Sequence, residues 1–220
     1  MEELAAFSGG TLHKHCKEVE IADLLYDSRR VYRPSQSLFI ALKSIRNDGH
    51  RYIAALIRQG LKNFLVSELP KDELLEQANY ILVADTLEAM QRIAAAHRKR
   101  FDIDLVAITG SNGKTIVKEW IYELMRQSRH IARSPKSFNS QIGVPLSLWL
   151  INQGHDLALI ETGISQPGEM ERLQAIIKPT LGIFTNIGSA HLENFSKREN
   201  LIQEKLKLFD GVQKLYYCRD

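Results

Sequence analysis

Thr109-Gly110-Ser111-Asn112-Gly113-Lys114-Thr115 joins two glycines to a lysine and a following hydroxyl. The run lies between an apolar strand pattern, Leu105-Val106-Ala107-Ile108, and an amphipathic helix pattern that begins at Ile116. A loop so placed presents several backbone N–H groups and a helix N-terminus to one anion, which suits the phosphates of a nucleotide. Lys114 adds a point charge for the terminal phosphates, and the Thr115 hydroxyl is of the kind that holds a magnesium ion. Residues Thr109, Gly110, Ser111, Asn112, Gly113, Lys114 and Thr115 are therefore expected to bind ATP. Ile108 stands where the longer G-x-x-x-x-G-K-[ST] pattern needs its first glycine, so the match is to the tighter T-G-x-x-G-K-T form. The plain alternative is a glycine-rich turn that binds nothing. Within the helix, Ile116, Val117, Trp120, Ile121, Leu124 and Met125 recur at helical spacing and are read as its core face.

The elements that must position these groups follow from the hydrophobic pattern. After the phosphate-loop strand the chain reads strand, helix, strand, helix, strand, which implies parallel strands with helical crossovers. Leu157-Ala158-Leu159-Ile160 and Leu181-Gly182-Ile183-Phe184-Thr185 are the further central strands, and Pro145 sits in the first turn of a helix before Leu146-Ser147-Leu148-Trp149-Leu150. Each strand ends in polar residues: Thr109-Gly110, Glu161-Thr162 and Asn186. Ligands of an open parallel sheet sit outside the carboxyl ends of its strands, which puts Glu161 beside the phosphate loop. A carboxylate there can hold Mg²⁺; simple pairing with a neighbouring lysine is the alternative. His191 follows the third strand at the same edge and is a candidate metal ligand, against the alternative of an ordinary surface or core histidine.

Residues 1 to about 83 form a separate pattern. Leu38-Phe39-Ile40-Ala41-Leu42, Phe64-Leu65-Val66 and Tyr80-Ile81-Leu82-Val83 read as strands, and Tyr52 to Gln59 as a helix closed by Gly60. A helix from Thr86 to about Arg100, which Asp85 can cap and Glu88 support, leads into the phosphate-loop strand. The expected fold is thus α/β: a small N-terminal α/β domain (1–83), then a truncated ATPase domain with a mostly parallel sheet around the phosphate loop (84–220).

Composition bounds the partners. With 44% hydrophobic and 25% charged residues among 220, the chain reads as an ordinary soluble globular protein. A net charge of +3 from 29 basic and 26 acidic residues is too small an excess to argue for nucleic acid or a membrane surface. The short basic run His97-Arg98-Lys99-Arg100 closes a helix, where cations complement the dipole. Cys16 and Cys218 are too few and too far apart for a disulfide framework or metal knuckle. No apolar run approaches a membrane span, and Met1-Glu2-Glu3-Leu4 lacks the features of a secretory signal, so a cytoplasmic location is expected.

Several ordered motifs resemble the Mur ligases, the ATP-dependent amide-forming enzymes of peptidoglycan precursor synthesis, and among them the D-alanyl-D-alanine-adding type. Asp27-Ser28-Arg29, the Leu38–Leu42 strand and Asp48-Gly49-His50 resemble the family's uridine-nucleotide-binding first domain. Gly113-Lys114-Thr115 with Val117-Lys118-Glu119 resembles its phosphate loop and helix. The likeness continues through Asn139-Ser140-Gln141-Ile142-Gly143-Val144-Pro145, Glu161-Thr162-Gly163, Gly168-Glu169-Met170 and Asn186 to Ala190-His191-Leu192-Glu193. It implies that Ser28 and Arg29, with Asp27 as a weaker candidate, contact the uridine diphosphate part of UDP-N-acetylmuramoyl-tripeptide. Asn139 and Ser140 would face the acceptor. Lys114 and the loop would hold ATP, Thr115 and Glu161 a first Mg²⁺, and His191 a second. Lys205 matches the family's lysine that reacts with CO₂; a carbamate is an anionic oxygen ligand for the second metal, whereas an ammonium would repel it. Lys207 is the rival, but two residues along a helix turn the side chain by about 200°, so both cannot face one metal. Two surface lysines are the remaining alternative.

The reaction implied is transfer of the γ-phosphoryl of ATP to the precursor's carboxylate, then attack on the acyl phosphate by the amine of D-Ala-D-Ala. Catalytic roles fall to Lys114, Glu161, His191 and Lys205, with a monomer expected. Ser35-Gln36-Ser37 departs from the family's Gly-Asp pair before the first strand. The family's central domain also continues beyond the equivalent of Asp220 into a closing third domain, so a fragment unable to complete ligation is expected. The rivals are another ligase of the superfamily, amino-acid-adding or folylpolyglutamate-forming, and a non-catalytic UDP-precursor-binding scaffold.

Overall fold

The structure, a computed structural model, describes residues 1–45, 47–188, 194–195 and 197–218. His191 lies outside the described residues. The chain divides into two compact units, Met1–Ile93 and Ala94–Asp220. The division falls inside a helix, beyond the 83/84 boundary read from the sequence.

In the first unit the order is α1 (Glu2–Ser8), β1 (Thr11–His13), β2 (Asp23–Leu25), β3 (Ser37–Ile40), α2 (Ile53–Arg58), β4 (Asn63–Val66), α3 (Asp72–Leu75), β5 (Asn79–Leu82) and then α4 (Thr86–Arg98), which crosses the division. The sheet runs β1-β5-β4-β3-β2, parallel except for β1 against β5. Alternation along the strands puts Phe39, Phe64 and Tyr80 on one face beside Ile53, Leu56 and Ile57 of α2. The three rings are register partners: Phe64 stacks on Tyr80 with centroids 5.4 Å apart and meets Phe39 edge-on at 6.2 Å. Such cross-strand pairs fix register, because a one-residue slip would turn every ring to the opposite face. Asp85 caps α4 as expected, its Oδ1 accepting from the N–H groups of Leu87 and Glu88 at 2.8 and 3.0 Å. Glu88 pairs instead with Arg92.

The second unit continues with β6 (Asp104–Thr109), α5 (Lys114–Met125), β7 (Ile131–Arg133), α6 (Gly143–Trp149), β8 (Leu157–Glu161), α7 (Glu169–Ile177), β9 (Leu181–Phe184), α8 (Arg198–Leu206) and β10 (Lys214–Tyr217). The sheet order is β10-β9-β6-β8-β7, and every pair is parallel. Leu105, Ala107, Ala158 and Ile160 face one core with Val144, Leu148, Met170 and Leu173 from α6 and α7. Val106, Ile108, Leu157 and Leu159 face another with Ile121, Tyr122 and Met125 of α5. Burial on both faces explains why these strands read as continuous apolar runs. From β6 the chain crosses first toward β7 and β8, and later to β9 on the other side. The carboxyl end of β6 is therefore the switch point at which an open α/β sheet binds its ligand.

The core face read for α5 is corrected. Ile116, Trp120 and Leu124 are 56%, 67% and 83% exposed, whereas Lys118 is fully buried and Ile121, Tyr122 and Met125 meet the sheet. At about 100° per residue the buried direction lies roughly 100° around the helix from the centre of the apolar arc. Lys114, Thr115 and Lys118 must face the site, and they set the helix phase. Among the described residues no helix is long and apolar enough to cross a membrane.

Candidate functional site

The loop between β6 and α5 is shaped by two backbone positions that favour glycine. Gly110 has φ 145°, and a Cβ there would collide with the Thr185 hydroxyl and approach the Asn186 backbone to 3.0 Å. Gly113, at φ 80°, turns the chain into α5. The segment after β9 supports the loop: Ser111 N–H donates to the Asn186 carbonyl and Asn112 N–H to Asn186 Oδ1, both at 2.9 Å. The Thr185 hydroxyl donates to the Asn112 carbonyl at 2.6 Å. Two amides expected to face an anion thus serve the loop itself, and its anion-binding capacity rests on the first turn of α5, where N–H groups lack intrahelical acceptors.

Lys114 folds back over this loop, donating from Nζ to the carbonyls of Gly110 at 2.8 Å and Ser111 at 3.1 Å. Burial pushes its pKa down, with Glu161 acting in the opposite direction. Glu161 is the last residue of β8 and the register partner of Ile108, so parallel pairing alone brings it to the loop. Its carboxylate is buried. Oε2 accepts from the Thr115 hydroxyl at 2.8 Å, and Oε1 from Asn139 Nδ2 at 2.7 Å. Lys118 Nζ stands 3.7 Å from Oε2, so the simple pairing with a lysine is present together with the bond to Thr115.

Lys205 reaches the same loop from α8, with Nζ 3.4 Å from the Gly110 carbonyl. Burial, then the neighbouring Lys114 charge, pushes its pKa down to about 8. The preceding residue, Glu204, is buried and accepts from the N–H groups of Gly168 and Met170 at 2.8 and 3.2 Å, which locks α8 onto the start of α7. Lys207 lies on the surface and pairs with Glu204 at 2.9 Å. Of the two lysines, the one matched by the resemblance, Lys205, is buried at the loop, and its rival Lys207 is not. The Ser140 hydroxyl accepts from Gly143 N–H at 3.2 Å at the start of α6.

Asp27, Ser28 and Arg29 belong to the first unit and follow β2 at the carboxyl end of its parallel strands. Arg29 donates from Nε to Asp27 Oδ1 and from Nη2 to Oδ2, both at 2.8 Å, while the guanidinium stays exposed. This bidentate bond holds the Asp27 pKa down to about 2. A depressed carboxylate pKa stabilises the fold above the unfolded-state value of 3.8, and that contribution is lost as pH falls through about 2. The Asp27 carboxyl carbon is accordingly expected to keep its ionised NMR shift at pH 3, and to lose it there in Arg29→Ala.

Lys114, Thr115, Asn139, Glu161 and Lys205 are thus gathered around one loop. They fit a magnesium nucleotide: Thr115 and Glu161 offer oxygen donors of the hard type Mg²⁺ prefers, beside a helix N-terminus and a lysine suited to phosphates. Sequence reasoning did not single out Lys118, Ser134 or Thr185 as site residues. The signal for Lys118 was its spacing, one turn after Lys114 on the same helix face.

Residues 108–218 match the Mur ligase middle domain. A UDP-N-acetylmuramoyl-tripeptide–D-alanyl-D-alanine ligase from Synechocystis sp. is 34% identical over 192 residues, which is 87% of this chain and 42% of the relative. The enzyme of the same name from Bacillus subtilis is 29% identical over 218 residues, 97% of this chain and 46% of the relative. Among solved structures, MurF from Acinetobacter baumannii aligns with a TM-score of 0.87 at 28% identity, covering 96% of this chain and 46% of that one. MurF ligase from Thermotoga maritima in complex with ADP aligns with a TM-score of 0.75 at 28% identity, covering 87% and 43%. The chain spans less than half the length of these relatives.

Proposed function

This chain belongs to the Mur ligase family, and from that premise we propose that it carries the two nucleotide-binding parts of an ATP-dependent amide ligase joining D-Ala-D-Ala to UDP-N-acetylmuramoyl-tripeptide. Ser28 and Arg29, aligned by Asp27, take the uridine diphosphate part, and the loop 109–115 takes ATP. A cytoplasmic location belongs to the same reading, since both of those substrates are nucleotides. The reading is carried by one observation: Lys114 and Thr115 from α5, Glu161 from β8 and Lys205 from α8 meet at the switch point of a parallel sheet.

In this reading the γ-phosphoryl of ATP passes to the free carboxylate of the tripeptide. The amine of D-Ala-D-Ala then displaces phosphate from the acyl phosphate, leaving an amide. Lys114 exchanges the Gly110 and Ser111 carbonyls for the terminal phosphates and offsets the charge that grows there. Thr115 and Glu161 would hold the first Mg²⁺, with Asn139 fixing the other carboxylate oxygen. Bound magnesium supplies charge neutralisation across the phosphates. The lowered pKa of Lys205 favours the free amine that reacts with CO₂, and the resulting carbamate would join His191 as a ligand of a second Mg²⁺. The remaining work is positioning, since no side-chain nucleophile is required.

This chain is expected to bind a fluorescent ATP analogue about tenfold more tightly with Mg²⁺ than with EDTA, roughly 1.4 kcal/mol. UDP-N-acetylmuramoyl-tripeptide at millimolar concentration is expected to raise its melting temperature. Failure of both overturns the reading. A protein of the relatives' length containing this chain should release phosphate only when the precursor and D-Ala-D-Ala are both present.

A further inference from the structure

One buried cation has no task in the reaction above. Lys118 is fully buried on α5, and its Nζ donates to the Ser134 carbonyl at 2.7 Å and to the Lys136 carbonyl. It also stands 3.2 Å from Glu119 Oε1 and 3.7 Å from Glu161 Oε2. All four neighbours are acceptors. That set matches an ammonium with three donors, whereas a neutral amine would aim its lone pair at another. Glu119 is also engaged elsewhere, paired with Arg133, whose guanidinium lies 3.5 Å from the Tyr122 ring centroid. For the buried Glu161, Lys118 is the one ion-pair partner within 4.0 Å among the described residues.

We propose that the Lys118 ammonium is a built-in counter-ion of Glu161 that keeps a bare divalent cation off the carboxylate, so that the metal enters only with the nucleotide's phosphates. A buried carboxylate needs a compensating charge, and Lys118 supplies it before any ligand arrives. The oxygen it faces, Oε2, is also the one bonded to Thr115, so the donor pair suited to a metal lies beside a fixed positive charge. Repulsion between two cations is strong where water is scarce. The several negative charges of a triphosphate outweigh it, and a hydrated ion brings none. The inference rests on the nucleotide reading of the loop, and it assigns Lys118 a positioning role, with no contact to the reacting atoms.

A residue that merely braced the 134–138 segment would, on removal, loosen Glu161 and weaken metal binding; the counter-ion role predicts the opposite sign. The test is Mn²⁺ binding to this chain, followed by electron paramagnetic resonance, with and without ATP. The wild type is expected to bind Mn²⁺ weakly alone and strongly with ATP. Lys118→Met is expected to bind nucleotide-free Mn²⁺ at least about tenfold more tightly, and Mg²⁺ alone should raise its melting temperature where it leaves the wild type unchanged. Lys118→Arg, which keeps the charge, should stay weak, and adding Glu161→Gln to Lys118→Met should abolish the gain. Should the Met variant not fold, Lys118→Gln keeps a donor for the two carbonyls and removes the charge. Wild type that binds Mn²⁺ as tightly without ATP as with it overturns the proposal. So do charge-removing variants that bind it no better than wild type while the wild type binds MnATP. Wild type that binds no MnATP instead sinks the nucleotide reading, and this inference with it.

Discussion

Lys205→Met is expected to stabilise the ligand-free chain while reducing ligation by a protein of the relatives' length about a thousandfold or more. Lys205 is a buried ammonium whose neighbouring charge, Lys114, has the same sign. Its pKa is about 8 in the folded chain against an ordinary 10.5. Below pH 8 the folded state bears the full cost of the charge. Between pH 8 and 10.5 the unfolded chain still holds a proton that the folded chain has released, so stability rises with pH across that window. The shift corresponds to at most about 3 kcal/mol, and residual solvent around the group brings it to roughly 2 kcal/mol. Urea unfolding should therefore show Lys205→Met more stable than wild type by about 2 kcal/mol at pH 7, with the gap closing near pH 10.5. A variant less stable than wild type at pH 7 contradicts this account. Carbamylation is the constructive counterpart: it removes the same charge and keeps an oxygen ligand.

Glu161→Gln is expected to do the reverse to stability and as much damage to function. The amide removes the buried one of the two carboxylates beside Lys118, leaving it the more exposed Glu119, and breaking a buried pair from one side costs about 3 kcal/mol. It also presents an N–H₂ group to Asn139 or Thr115, where the carboxylate accepted from both. Denaturant titration should show the loss of stability, and nucleotide binding should no longer be strengthened by Mg²⁺. Retained magnesium dependence would mean that the metal is held elsewhere.

Position along the strands was the most legible part of this chain. Glu161 could be placed at the loop because parallel strands end at one edge, and the register of Ile108 with Glu161 is that rule made concrete. The cap by Asp85 and the place of Pro145 in the first turn of α6 were legible for the same reason: each satisfies a local backbone requirement. The rotation of α5 was not. Its apolar residues cover half the circumference, and polar side chains that must meet the loop decided which part was buried. The three-residue strands β1, β2 and β7 carry too few residues for alternation to show. The bonds from Ser111 and Asn112 N–H to Asn186, about 75 residues away, could not be read from the sequence. Lys205 was preferred to Lys207 on the resemblance alone; what sequence could not show is the Glu204 clamp, a contact made 36 residues away that fixes α8.

Three lysines, Lys114, Lys118 and Lys205, stand around the phosphate loop, with Glu161 and Glu119 as the carboxylates nearest to Lys118, and Arg133 adds a further positive charge beside Glu119. Walls that exclude water focus the field of such an excess outward, so the crevice steers polyanions from a distance and speeds their encounter. Added electrolyte blunts that pull, since at 0.15 M screening acts over about 8 Å. The chain's modest overall charge conceals this: its attraction for phosphates is a local property, concentrated at the loop between β6 and α5.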